Sequence, residues 1–313
     1  MNKRERLSAA FQNKVPDRIP AGFWIHYETR DVEALARDHL NFYHSTDVDI
    51  MKIMYEYMYS IEEQIHTPND WYHIKPLGKK SPEFTKQVEL IQRIHDQVDD
   101  DVMFFSTMFN AVKMATWVTS DQLVMEHLRS NPDAVLAGIN AFCDTTIEWL
   151  DILFQAGLDG IYFSAQFGEI GRFNDAEWRM IVEPSDLRIL NFIHKNKKLI
   201  ILHICGEPEY EFKVHIDRYE NYPKDMVNWA IFPNDFNLFK GRDLFKCPVL
   251  GGMDNWKEIL NGTKDDIQAA VNAAIQDGGN RGFVLGADCS IQGNFDLGRI
   301  RQAVDISRTY NIH

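Results

Sequence analysis

Cysteine is scarce, with four in 313 residues scattered along the chain. That number and spacing exclude a disulfide framework of the kind that staples small secreted domains. Long apolar runs are missing too, and no stretch reaches the roughly 20 residues that a membrane-spanning helix needs. The opening Met1-Asn2-Lys3-Arg4-Glu5-Arg6 is charged and no apolar segment of signal-peptide type follows it. The expected setting is therefore cytoplasmic, with no membrane partner. Positive charge is in deficit, with 33 Lys and Arg against 46 Asp and Glu and a formal net charge of −13. A phosphate backbone selects basic surfaces, so no nucleic-acid partner is expected. The basic residues are spread rather than clustered, and charge runs locate no anion pocket. There is no Gly/Ser-rich linker, no internal repeat and no low-complexity segment, so residues 1–313 read as one domain.

What is present is an alternation. At 45% hydrophobic and 25% charged residues, the chain has the composition of a globular protein with a large core. Eight short apolar segments of strand type run from Ile19–Ile25, Val48–Met54, Val102–Phe105, Leu158–Phe163, Lys198–Leu202, Met226–Ile231, Pro248–Asp254 and Gly282–Leu285. Helical patterns stand between them. Ser81-Pro82-Glu83 and Asn131-Pro132-Asp133 are helix starts, a helix covers Pro184–Lys195, and Thr263 with Asp266 forms a capping box before the Ile267, Ala270, Val271, Ala274, Ile275 face. A short amphipathic helix precedes the first strand over residues 3–13. Strand and helix in regular alternation predict a single (β/α)8 barrel of the TIM type, whose chemistry sits at strand C-termini. The connection from Tyr55 to Lys80 breaks the pattern and is long enough to serve as a functional cover.

The residues with the most distinctive chemistry fall where such a barrel would use them. The fifth strand runs into His203-Ile204-Cys205-Gly206, and the eighth into Gly286-Ala287-Asp288-Cys289. Side chains two apart on a strand share a face, so His203 and Cys205 project together. One imidazole and two thiolates suit Zn2+, and three protein ligands leave a fourth position open. The other reading is a hydrogen-bonded core histidine beside two buried cysteines. Strands five and eight are not neighbours in a barrel, so Cys289 must lean across the mouth. Gln166, Glu169, Asp254 and Asp288 stand at other strand ends, where each could touch substrate, complete the metal shell, orient His203, or simply anchor a loop. Asp288 alternates with Cys289, so it is also a candidate to face the helices. Tyr27, His26 and Glu56 follow the first two strands and are further candidates to touch substrate, Tyr27 first among them. Cys143 and Cys247 read as core or surface residues. The aromatic stretch Trp71-Tyr72-His73 either helps cover the mouth or packs a long loop.

With these residues in place, the chain resembles the uroporphyrinogen decarboxylase superfamily. The resemblance rests on Arg4…Leu7…Ala10…Asp17-Arg18-Ile19-Pro20, on Ala156-Gly157-Leu158-Asp159-Gly160, on Leu202-His203-Ile204-Cys205-Gly206, and on Leu250-Gly251-Gly252-Met253-Asp254. Within it, His203, Cys205 and Cys289 match the zinc motif of corrinoid-dependent methyltransferases such as those acting on coenzyme M. The decarboxylases themselves carry an arginine-rich signature after the first strand, where this chain has Phe23-Trp24-Ile25-His26-Tyr27-Glu28-Thr29-Arg30. After Cys289 the chain also lacks the Thr-Pro that often opens the last helix of the methyltransferase branch.

The resemblance implies a zinc enzyme moving a methyl group between a corrinoid (methylcobalamin, free or held on a partner protein) and a small thiol or methylated substrate. Homodimerisation is left open. A free thiol has a pKa of roughly 8.5, and a coordinating metal deprotonates it. Two cysteinates cancel the charge of Zn2+, so an added substrate thiolate makes the centre anionic and keeps it nucleophilic. Two further functions compete: decarboxylation of tetrapyrrole carboxylates, which needs a cationic pocket, and a non-catalytic barrel with structural or sensory zinc, which needs a fourth protein ligand such as Glu169 or Asp254. A cobalamin-independent methionine-synthase-like reaction would call for an acidic ligand downstream, where Glu207, Glu209, Glu211 and Glu220 are the nearest candidates.

Overall fold

The computed structural model describes residues 1–57, 61, 64–293 and 295–310. Eight parallel strands follow one another in chain order: β1 (Ala21–Gly22), β2 (Ile50–Ile53), β3 (Met103–Phe109), β4 (Gly160–Ala165), β5 (Leu199–Ile204), β6 (Met226–Trp229), β7 (Val249–Met253) and β8 (Phe283–Ala287). Each pairs with its sequence neighbour from β2 to β8, and β8 pairs with β1. Between β1 and β2 the amide of Asp49 donates to the carbonyl of Ala21 at 2.8 Å, which draws the two ends of the sheet together. The result is the expected (β/α)8 barrel.

Two apolar layers follow from strand alternation. Ile50, Met103, Phe105, Tyr162, Ile201, Met226, Leu250 and Val284 fill the interior. Their alternates, among them Met51, Phe104, Phe163, Ile200, Leu202 and Val249, pack under the helices. The N-terminal helix Lys3–Phe11 plugs the bottom, with Leu7 and Ala10 joined to the interior cluster and Phe11 stacked on Phe105 at 5.8 Å between centroids. Asn2 and Glu5 close its capping box. Beside it, Asp49 is fully buried and accepts from Arg6 at 3.0 Å, from Arg18 at 2.8 and 2.9 Å, and from the Ala21 amide at 2.9 Å.

Several boundaries differ from the sequence expectations. The helix expected at Pro184 starts at Asp175, capped by Asn174 and Glu177, with Pro184 inside it. Two helices, Ala111–Val118 and Asp121–Ser130, follow β3 where none was expected, capped by Asn110 and Ser120. Thr263 and Asp266 do form the capping box of Lys264–Gly278. The Tyr55–Lys80 connection lies partly outside the described residues, at 58–60 and 62–63. Its described part contains a short helical turn, Pro68–His73. There Trp71 is fully buried, donates to His127 Nδ1 at 3.0 Å, and packs on Gly138 of the helix Pro132–Gln155. The packing role of Trp71 therefore holds, and the stretch is not part of the mouth. No helix among the described residues is long and apolar enough to cross a membrane.

Candidate metal centre

At the C-terminal end of the barrel lies a cavity of about 780 Å³, lined by residues from all eight strand exits. His203, Cys205 and Cys289 stand in its wall, and one ligand atom from each falls within 4.8 Å of the others. Alternation on β5 aims His203 and Cys205 the same way. Gly206 then lets the backbone of Phe212 approach closely, since a Cβ there would lie 2.7 Å from the Phe212 carbonyl oxygen. Cys289 crosses from the β8 exit, its Sγ 3.5 Å from His203 Nε2.

The orientation of His203 is held from behind. Its Nδ1 lies 2.6 Å from Oδ1 of Asn228, the residue paired with it on β6. The same oxygen accepts from the Tyr162 hydroxyl at 2.8 Å, while the Asn228 amide donates to the carbonyls of Leu250 and Ala287. An oxygen at Nδ1 fixes the proton there and leaves the Nε2 lone pair toward the cysteines, which is the tautomer a metal requires. The Tyr162 ring stacks on the imidazole at 5.1 Å. The hydrogen bond between the two thiols pushes Cys289 well below its ordinary range and, with burial, Cys205 well above it. The donor set, its tautomer and its mutual distances fit a tetrahedral zinc with one open position.

The weaker candidates separate. Gln166 lines the cavity, buried, with Oε1 unpartnered. Asp254 lines it as well, but its carboxylate accepts from the Trp256 amide at 2.8 Å and pairs with Lys257 at 2.9 Å. Asp288 lines it too and is buried: Oδ2 accepts from the amides of Ile231 and Phe232 at 2.7 and 3.3 Å, tying the β6 exit to β8, while Oδ1 has no hydrogen-bond partner. Glu169 is absent from the cavity lining: it is fully buried in an ion pair with Arg172 at 2.8 Å. Tyr27 also falls outside the lining, because its ring packs on His39 at 4.2 Å. His26 takes its place at the mouth, with Nδ1 3.0 Å from Glu56. Among the described residues no carboxylate joins the His–Cys–Cys group. Glu207, the nearest acid in sequence, pairs with Lys113 at 2.7 Å. Cys143 and Cys247 lie elsewhere, and burial pushes their thiols up to about 12 and about 11.

Two residues of the site went unremarked in the sequence. Asn228 is one. The other is Lys52, buried on β2, whose ammonium burial pulls down to about 7 against the opposing pull of Cys289, Glu56 and Cys205. The signal for both was available: each is the polar member of a short apolar strand, on the inward register.

Fold and site together define a (β/α)8 barrel with a candidate zinc centre in its mouth. The family model described as uroporphyrinogen decarboxylase (URO-D) matches residues 51–310, so the chain belongs to that family. Among solved structures it is similar to a methyltransferase from Methanosarcina mazei, at 15% identity over 98% of each chain with a TM-score of 0.78. It is also similar to a B12-independent methionine synthase from Shewanella sp. W3-18-1, at 13% identity over 94% of each chain and a TM-score of 0.60. A structure titled as a putative vitamin-B12 independent methionine synthase from Listeria monocytogenes follows, at 9% identity over 92% of this chain and 95% of that one, TM-score 0.55. No curated protein sequence matches.

Proposed function

We propose that this protein is a zinc-dependent methyltransferase that moves a methyl group between a corrinoid, carried by a partner protein, and a small thiol. The carrying observation is the convergence of His203 Nε2 and the two cysteine sulfurs within 4.8 Å in the wall of the cavity. Zinc held there would supply the acidity that converts an acceptor thiol to a thiolate at neutral pH. His203 binds through Nε2 because Asn228 occupies Nδ1. Cys205 and Cys289 bring the negative charge that keeps an added thiolate electron-rich. The cavity is large enough for a small thiol. At its rim Phe232 and Trp256, 47% and 48% exposed, offer flat apolar surface to a macrocycle approaching from outside.

The competing functions find less support. A closed structural zinc needs a fourth protein ligand, and Glu169 and Asp254 are engaged by Arg172 and Lys257. Decarboxylation of polycarboxylated tetrapyrroles needs a cluster of cations, yet no arginine lines the cavity among the described residues. Arg30 is exposed and bonds the backbone of its own loop at Tyr27.

The test is metal content followed by transfer. Roughly one zinc per chain is expected in the purified protein, lost in a Cys205→Ser, Cys289→Ser double variant. The zinc form should then consume methylcobalamin in the presence of a member of a thiol panel. No zinc after reconstitution under reducing conditions would overturn the proposal, and tetrapyrrole carboxylates would be tried next.

A further inference from the structure

Lys52 is a buried ammonium, 6% exposed, in the wall of the cavity. Alternation along β2 turns it inward with Ile50 and Met54. Its Nζ lies 4.7 Å from the Trp24 ring centre and 4.2 Å from that of Tyr162, and it donates to the Met54 thioether at 2.9 Å. Among the described residues no carboxylate pairs with it. Aromatic faces and a thioether offset only part of the cost of burying a charge. The acids around the cavity are engaged elsewhere: Asp254 with Lys257, Glu207 with Lys113, Asp288 with two backbone amides, Glu56 with His26. Lys52 is thus an amine whose positive charge no neighbouring carboxylate balances, and an anion arriving in the cavity would hold it in its ammonium form.

The Tyr162 ring carries Lys52 against it and stacks on His203 at 5.1 Å, so one ring links the ammonium to the ligand cluster. Zinc with two cysteinates sums to zero charge, an acceptor thiolate adds one negative charge, and its methylated product is neutral again. The cavity's charge therefore changes by one unit in each turnover. We propose that Lys52 is the specificity residue for this change: it serves as counter-charge to the acceptor thiolate and, lacking any hold on the neutral thioether, favours release of product. The inference rests on the methyltransferase reading above. In the reaction it serves, the thiol proton goes to solvent and a sulfur lone pair forms the S–C bond. The cobalt–carbon bond breaks with both electrons left on the corrinoid.

The experiment uses the full chain with cobalt(II) in place of zinc, and two uncharged probes, 2-mercaptoethanol and its S-methyl ether 2-(methylthio)ethanol. Neither brings a second anion that Lys52 could meet. Thiolate ligation is read from the sulfur-to-cobalt charge-transfer band, and thioether binding by competition. The wild type is expected to prefer the thiol. Lys52→Met should retain its metal and thermal midpoint, lose about tenfold or more in thiol affinity, and leave thioether affinity unchanged. Lys52→Arg should keep the preference, and Lys52→Gln makes the same neutral comparison if the Met variant does not fold. Equal losses for both probes, or no loss for either, overturn the inference. If wild-type protein transfers methyl groups while Lys52→Met keeps its thiol preference, this inference fails alone. If the metal-loaded wild type binds no thiol, the methyltransferase reading fails with it.

Discussion

Asn228 shows how much of a metal site can rest on a residue that touches no metal. One oxygen takes the His203 Nδ1 proton and the Tyr162 hydroxyl, and one amide bridges two strands. Removing it frees the imidazole to rotate and strands buried groups on three sides. Asn228→Ala is expected to weaken zinc binding by about 10- to 100-fold in chelator competition, and to cost about 1–3 kcal/mol in urea unfolding. Asn228→Asp should hold zinc at least as tightly, since a carboxylate at Nδ1 raises ligand basicity; a large loss there would show that the amide's bridges to Leu250 and Ala287 matter more than the imidazole contact. His203 and Cys205 were legible in the sequence because two-residue alternation is local. Asn228 and Lys52 obeyed the same rule. Neither residue type is a signature of chemistry, so the pattern alone gave no reason to stop at them.

Among the elements, β7 accounts for a motif whose purpose the sequence leaves blank. Gly251 and Gly252 have φ of +146° and +107°, and a Cβ on Gly252 would lie 2.5 Å from that of Ala274. The pair lets the helix Lys264–Gly278 close on the barrel beside Asn228. The helix Val32–Thr46 is fastened differently. His39, buried on it, donates from Nδ1 to Leu35 O at 2.8 Å and accepts the Met54 amide on Nε2 at 3.0 Å, so only the neutral ring satisfies both partners. Burial pulls its pKa from 6.5 to about 4. Between those values the unfolded chain binds a proton that the folded one refuses, so stability is full above 6.5 and falls as pH drops toward 4. The loss should be about 2 kcal/mol between pH 7 and pH 5, on the way to about 3 kcal/mol below pH 4, measured by urea unfolding of metal-free protein at pH 7 and pH 5. In His39→Gln the slope over that window should flatten; an unchanged slope would assign it to other groups. The helices Ala111–Val118 and Asp121–Ser130 escaped notice because each is short and its asparagine or serine cap is shared with ordinary loops.

For the molecule as a whole, closure is the decisive event, and it depends on one carboxylate. The ladder between β1 and β2 is reduced to the contact between Asp49 and Ala21, with Arg6 and Arg18 drawn onto the Asp49 side chain. Asp49→Ala would leave two largely buried guanidiniums short of a partner and a strand amide unpaired. We expect a loss of about 3–5 kcal/mol in denaturant unfolding, with zinc content preserved under native conditions because the metal ligands lie at the opposite end of the barrel. Joint loss of zinc and fold at modest denaturant would instead indicate that seam and mouth open together.

The sequence by itself determined the alternation of strand and helix, hence the barrel, and the inward pairing of His203 with Cys205. Both follow from periodicities of two and 3.6 residues that act over a few neighbours. Only the tertiary structure decided that Cys289 reaches His203 across three intervening strand pairings, that Asp254 and Glu169 are held away from the metal position by their own cations, and that His26 rather than Tyr27 meets the cavity. Those outcomes depend on where each strand sits around the ring and which partner reaches a side chain first. Barrel closure sets both, and no local pattern encodes them.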